Sequence, residues 1–292
     1  MSTFDLEFIT PLFSRGAYED RPEIRAASIR GQLHGWFRAL GGAAADEKAI
    51  FGGVHDGAVA SKIVVRVQAD IRPEDGRWIP TLPHKPAGQR EDYGPNAPRI
   101  GLHPGTRFTL HVLERLGGLG ASRAKFDRTL EAWLLLGGLG LRCTRAAGNF
   151  RWTPGAGAPL RYPATFAEYD TRCQELLRGA PLRFGLLATE YTSGEAARRV
   201  VADTLGGRAD RAGQNDLAAL RDPLGKIIGG RKTSPLRFRV VAVGTNYRIA
   251  ALWDARDRVT GNRPSDLKGV IDLLAAKKPA LGMQLANSAL AR

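Results

Sequence analysis

The sequence runs to 292 residues, 43% of them hydrophobic and 25% charged, which excludes a disordered or fibrous chain and leaves room for two domains of ordinary size. Forty-three Lys and Arg against 29 Asp and Glu give a net charge of +14, so the first expected partner is a polyanion, nucleic acid ahead of an anionic membrane. The longest apolar run, residues 132–136, is far too short to span a bilayer, and the N-terminus lacks the cationic start and apolar run of a signal peptide; the expectation is a cytoplasmic protein with no membrane partner.

In chain order, residues 3–9 read as a strand that ends at Thr10-Pro11-Leu12, and residues 14–22 as a loop. A helix follows. Ser28 suits its N-cap, Ile29, Leu33, Trp36, Phe37 and Leu40 recur on one face, and Gly41-Gly42 stops it. Arg30, His34 and Arg38, four residues apart, make a basic stripe beside that apolar face. Residues 62–68 and 107–113 alternate like half-buried strands, and the connection between them, 71–104, holds seven prolines. A second helix is expected over 122–136, closed by Gly137-Gly138, with a last strand at 148–153.

Strand, helix, strand, strand, helix, strand is the ferredoxin-like βαββαβ order used by RNA-recognition modules, so the fold class is α+β. We expect a first ferredoxin-like domain over 1–155 with a long insertion at 71–104. A second, degenerate copy is expected over 156–292, with strands at 182–189 and 236–243 and helices at 195–205 and 264–276.

Glycines and two arginines follow the second helix directly in residues 136–148, LGGLGLRCTRAAG. Glycine lets backbone N–H groups approach an oxyanion, and Arg142 and Arg145 can each offer a bidentate fork to phosphate. A glycine-capped helix running into a solvated loop fits the same spacing. The segment lacks the Gly-Lys-Ser/Thr ending of a phosphate-binding loop and does not match a dinucleotide fingerprint. Lys226, Arg231 and Lys232, followed by Arg237 and Arg239, form a second glycine-associated basic patch, which a solvated face also explains.

The five histidines have no metal-ligand spacing, and Cys143 and Cys173 stand 30 residues apart, so neither metal nor cofactor nor disulfide is expected, only free thiols. His34 could act as a base on a ribose hydroxyl. The aspartates are scattered rather than paired, with Asp20 the one placed in a suggestive loop.

Residues 9–13 (ITPLF), 22–40 (PEIRAASIRGQLHGWFRAL) and 47–53 (EKAIFGG), with the glycine loop at 137–148, together resemble the RAMP superfamily of CRISPR proteins. Within it they are most similar to the Cmr-module members that cap the guide RNA 3′ end in type III-B effector complexes. The chain departs from that pattern at His34, where arginine is expected, and at Ala146-Ala147, where Arg-Gly is expected. The resemblance implies tandem ferredoxin-like folds. It also implies binding to guide RNA and complementary target RNA, and partnership with other RAMP subunits and a large polymerase-like subunit. The expected RNA contacts are Arg15, Arg25, Ser28, Arg30, His34, Arg38, Arg142, Arg145, Lys226, Arg231 and Lys232, with no catalytic residue. The alternative is a RAMP endoribonuclease that processes the guide through His34 or cleaves the target through Asp20.

Overall fold

The computed structural model describes residues 1–18, 20–54, 57–81, 98–205, 234, 236–254, 272, 275, 276 and 284. Lys226, Arg231, Lys232 and most of the helix expected at 264–276 lie outside these residues.

The first half forms β1 (Ser2–Phe8), α1 (Ala26–Ala39), α2 (Ala44–Phe51), β2 (Ile63–Gln68), β3 (Arg77–Pro80), β4 (Pro98–Gly101), β5 (Arg107–Glu114), α3 (Arg123–Leu136) and β6 (Phe150–Pro154). Four strands make an antiparallel sheet in the order β2-β5-β1-β6. With β5 and β6 as third and fourth strands of the motif, the first strand lies between third and fourth, as a ferredoxin-like fold requires.

The alternation seen in the sequence sorts the two faces of this sheet. Phe4, Leu6, Phe8, Phe108, Leu110, Phe150 and Trp152 are buried against α1 and α3. On the other face Glu7 pairs with both Arg107 and Arg151, and Asp5 accepts a hydrogen bond from Thr109 Oγ1 at 2.7 Å. RNA-recognition modules stack bases on aromatic residues of that face; here it carries neutralised ion pairs instead.

Three expectations are corrected, and one element was not foreseen. The N-cap of α1 is Arg25, not Ser28, which lies exposed inside the first turn. Gly137 follows α3 with φ −77°, so it is no left-handed cap; a Cβ there would stand 2.4 Å from the Trp133 carbonyl oxygen, which is why glycine is required. The 71–104 connection is not simply a loop, because β3 and β4 pair as an antiparallel ladder within it. The segment after Gly41-Gly42 holds an additional helix, α2. By contrast Gly41, at φ +86°, does end α1, with Gly42 N–H bonded to the Phe37 carbonyl at 2.9 Å.

The second half forms α4 (Phe166–Leu177), β7 (Leu182–Tyr191), α5 (Gly194–Leu205), β8 (Leu236–Val243) and β9 (Asn246–Asp254). Its three strands are antiparallel in the order β7-β9-β8. Strand, helix, strand, strand, with the first strand against the third, repeats the arrangement of β1, α1, β2 and β5. The main core runs through both halves, joining Phe150 and Trp133 to Tyr169, Phe184 and Leu252. A smaller cluster around Phe238, Val201 and Ile249 reaches back to Ile9 and Ala146.

Candidate nucleic-acid interface

The glycine-rich segment 137–148 is held by backbone on two sides. Leu141 N–H donates to the Phe13 carbonyl at 2.7 Å, and Gly148 N–H to that of Pro11 at 2.8 Å. Ala146 N–H donates to Phe238 O at 3.1 Å, and Phe238 N–H to Thr144 O at 3.1 Å, so Arg145 forms an isolated parallel bridge with Phe238 of β8. The glycines serve these close approaches: a Cβ on Gly140 would stand 2.4 Å from Phe13 O, and one on Gly148 1.9 Å from Leu139 O. The N–H groups of Leu139, Leu141 and Gly148 are therefore spent inside the protein rather than offered to a phosphate, which corrects the backbone-cradle expectation.

The loop also carries two cations. Arg142 adopts φ +65°, a left-handed conformation uncommon for any residue but glycine, and its carbonyl accepts the Arg145 N–H at 2.8 Å. Burial and then repulsion from Arg99 on β4 lower the Arg142 pKa. Burial and then repulsion from Arg142 push that of Arg145 down to about 10. Arg142 thus feels the charge of Arg99, and Arg145 that of Arg142, from half-buried positions. Cys143 between them is a free thiol, raised by burial against the pull of Arg237.

Next to the loop, α1 and the β7-β9-β8 sheet enclose a cavity of about 530 Å³. Trp36, Leu136, Phe184 and Leu252 supply apolar wall, while Arg38, Arg237 and Arg239 bring positive charge. Arg239 is buried, 6% exposed; its Nη2 donates to the Phe150 carbonyl at 2.8 Å and its guanidinium lies 4.9 Å over the Phe150 ring.

The basic stripe of α1 has a different role from the one its spacing suggests. Arg30 Nη2 donates to the Phe51 carbonyl, His34 Nδ1 lies 2.7 Å from Glu47 Oε1 with its ring on Phe51, and Arg38 Nε donates to Glu47 at 2.8 Å. Burial pulls the Glu47 carboxyl up, but hydrogen bonds from Arg38 and His34 outweigh it and hold its pKa below the ordinary range. The stripe clamps α2 onto α1, and only Arg38, two-thirds exposed, also reaches the cavity. Arg15 forms an isolated bridge with Pro22, remote in sequence from the loop, and Asp20 and Arg25 are exposed.

Arg99 and Asn149 escaped the sequence reading. Buried Asn149 accepts the Ile9 N–H at its carbonyl, donates its own N–H to Thr10 Oγ1 at 2.9 Å, and accepts the Val240 N–H at Oδ1. Its position directly after the glycine loop was the available signal. Arg99 lies in the proline-rich connection, where no periodicity pointed to it. Among the described residues there is no group of three or more His, Cys, Asp or Glu able to hold a metal, and no helix long and apolar enough to cross a membrane.

Comparisons with known proteins agree with this architecture. The model of the RAMP superfamily matches residues 5–151. A stretch of 39 residues is 59% identical to the CRISPR system Cmr subunit Cmr1-2 of Pyrococcus furiosus, covering 13% of this chain and only 21% of that protein's length. The crystal structure of apo Cmr1 from Pyrococcus furiosus superposes with a TM-score of 0.61 at 15% identity, covering 86% of this chain and 87% of the other. A chain of the type III-B Cmr-beta complex bound to cognate target RNA gives 0.53 at 9% identity, covering 86% and 94%. With its family model spanning half its length and its fold in accord, the chain belongs to the RAMP superfamily.

Proposed function

We propose that this protein is a non-catalytic RNA-binding subunit of a type III CRISPR effector complex, holding the 3′ region of the guide RNA and the complementary target RNA in antiviral defence. Its partners are other RAMP subunits and a large polymerase-like subunit. One observation carries the reading: Arg142 and Arg145 stand on the glycine loop beside a cavity whose lining gathers Arg38, Arg237 and Arg239, and RNA phosphates are the complement of that concentration of guanidiniums. Guanidinium forks are suited to phosphate, and guide-target pairing leaves the protein no sequence to read. The likeness to chains of Cmr assemblies supports the same assignment.

The competing endoribonuclease reading needs a base that is at liberty to move a proton. His34 is engaged at Nδ1 by Glu47 and packed against the Phe51 ring, which supports a structural role. Incubating labelled repeat RNA and complementary target RNA with the purified protein and with the assembled complex tests both readings. Bound, intact RNA is the expected result; cleavage lost on His34→Ala or Asp20→Ala would replace the non-catalytic assignment with an enzymatic one.

A further inference from the structure

We propose that the cavity between α1, the glycine loop and the second sheet receives one unstacked base of the bound RNA. The proposal rests on the RNA-binding reading and adds the place where a nucleotide enters the protein.

Arg239 is the first reason. Its Nη2 is bonded to Phe150, but Nε and Nη1 are buried and have no hydrogen-bond partner among the described residues. A buried guanidinium with unmet donors is costly, and the side chain lines the cavity. The lining around it is otherwise mostly apolar, with Trp36 and Phe184 among its walls, which suits the face of a base. At 530 Å³ the space falls within the range of pockets that hold small organic ligands. Arg38 and Arg237 on its lining are exposed, so they stand at the open side, where the strand's phosphates would pass. Nη2 is spent on the Phe150 and Leu134 carbonyls, so single acceptors of the kind a nucleobase edge carries are the complement of the two remaining donors.

Gly35 is the second reason. It lies in the interior of α1, where glycine costs helix stability, yet nothing lies within 4 Å of a Cβ built on it. Gly35 lines the cavity, so its missing side chain keeps the space open. Gly31, one turn earlier and equally unobstructed, does not line it.

Two measurements on the full chain test the proposal. A short single-stranded RNA carrying one thioguanosine is crosslinked by light to the wild-type protein, and the modified peptides are identified by mass spectrometry. The expected adducts fall on the α1 segment around Trp36 and on β8 or β9. In parallel, RNA affinity is measured for Gly35→Phe and Gly31→Phe. Gly35→Phe should weaken binding about tenfold, the scale of one lost base contact, without lowering the melting temperature, and Gly31→Phe should bind as wild type. Wild-type RNA binding with adducts confined elsewhere, or with Gly35→Phe unimpaired, would overturn the base-pocket proposal and leave the RNA-binding reading intact. Failure of the wild-type protein to bind RNA would overturn both.

Discussion

Asn149 Oδ1 accepts the Val240 N–H at 2.8 Å across 91 residues of chain, joining the end of the glycine loop to a central position of β8. The backbone of the same residue bonds Ile9 and Thr10, so one buried residue ties together the end of β1, the loop and the second sheet. Asn149→Ala leaves the Val240 N–H buried without its acceptor, and we expect a loss of about 1–3 kcal/mol in urea unfolding. A change below about 0.5 kcal/mol would show that water or a side-chain shift replaces the bond.

Gly148 and Gly41 both have positive φ, +60° and +86°, but they sit in opposite surroundings. An added Cβ at Gly148 collides with Leu139 O, whereas at Gly41 it meets open space. Gly148→Ala should therefore destabilise by roughly 2–5 kcal/mol, strain and overpacking combined, and Gly41→Ala by only about 1–2 kcal/mol. Equal losses, read from denaturation midpoints at unchanged m-value, would mean that the loop glycines are not there for backbone packing.

Glu47 links α2 to His34 and Arg38, and its folded-state pKa lies below the ordinary carboxylate value. A depressed carboxyl contributes stability that is present above the unfolded pKa and lost as pH falls through the folded one. The stability gap between wild type and Glu47→Gln should thus be present near about pH 7 and close on acidification below about pH 4. A gap that stays constant over that range would assign the effect to packing rather than charge.

Arg172 holds the buried carboxylate of Glu131 with two hydrogen bonds of 2.6 Å, pinning α4 to α3. Arg172 is itself partly exposed, which tempers the value of the pair. Arg172→Ala still strands a buried charge, and a cost of about 1–3 kcal/mol is expected. Arg172→Ala with Glu131→Gln should recover much of it in a double-mutant cycle.

The first sheet was legible because its strands alternate and α1 carries an uninterrupted apolar face ended by Gly41-Gly42. β9 was not. Its sequence NYRIAALWD places alanines of weak strand preference at Ala250 and Ala251, which are buried on both faces of the sheet and so show no alternation. α4 carried a readable sign that was missed: Thr165 Oγ1 accepts the Glu168 N–H at 3.1 Å, and Ser/Thr-x-x-Glu is a helix-start signature. At the candidate site, spacing found Arg142, Arg145 and the glycines but could not say which way they face. Only the fold shows that the glycines pack on Phe13 and Leu139 while Arg142 comes under the charge of Arg99. The stripe of Arg30, His34 and Arg38 was correctly placed on one helix face, but its neighbour, α2, gave too short a pattern to be read.

The most direct test of the central claim is the salt dependence of single-stranded RNA binding by wild type and by Arg142→Ala with Arg145→Ala. If these two cations meet phosphates, each removes about 0.7 from the log-log slope, so the double variant should bind more weakly and its slope should be shallower by about 1.4. An unchanged affinity and slope, in a variant that remains folded, would contradict the claim that this arginine cluster is where RNA lies.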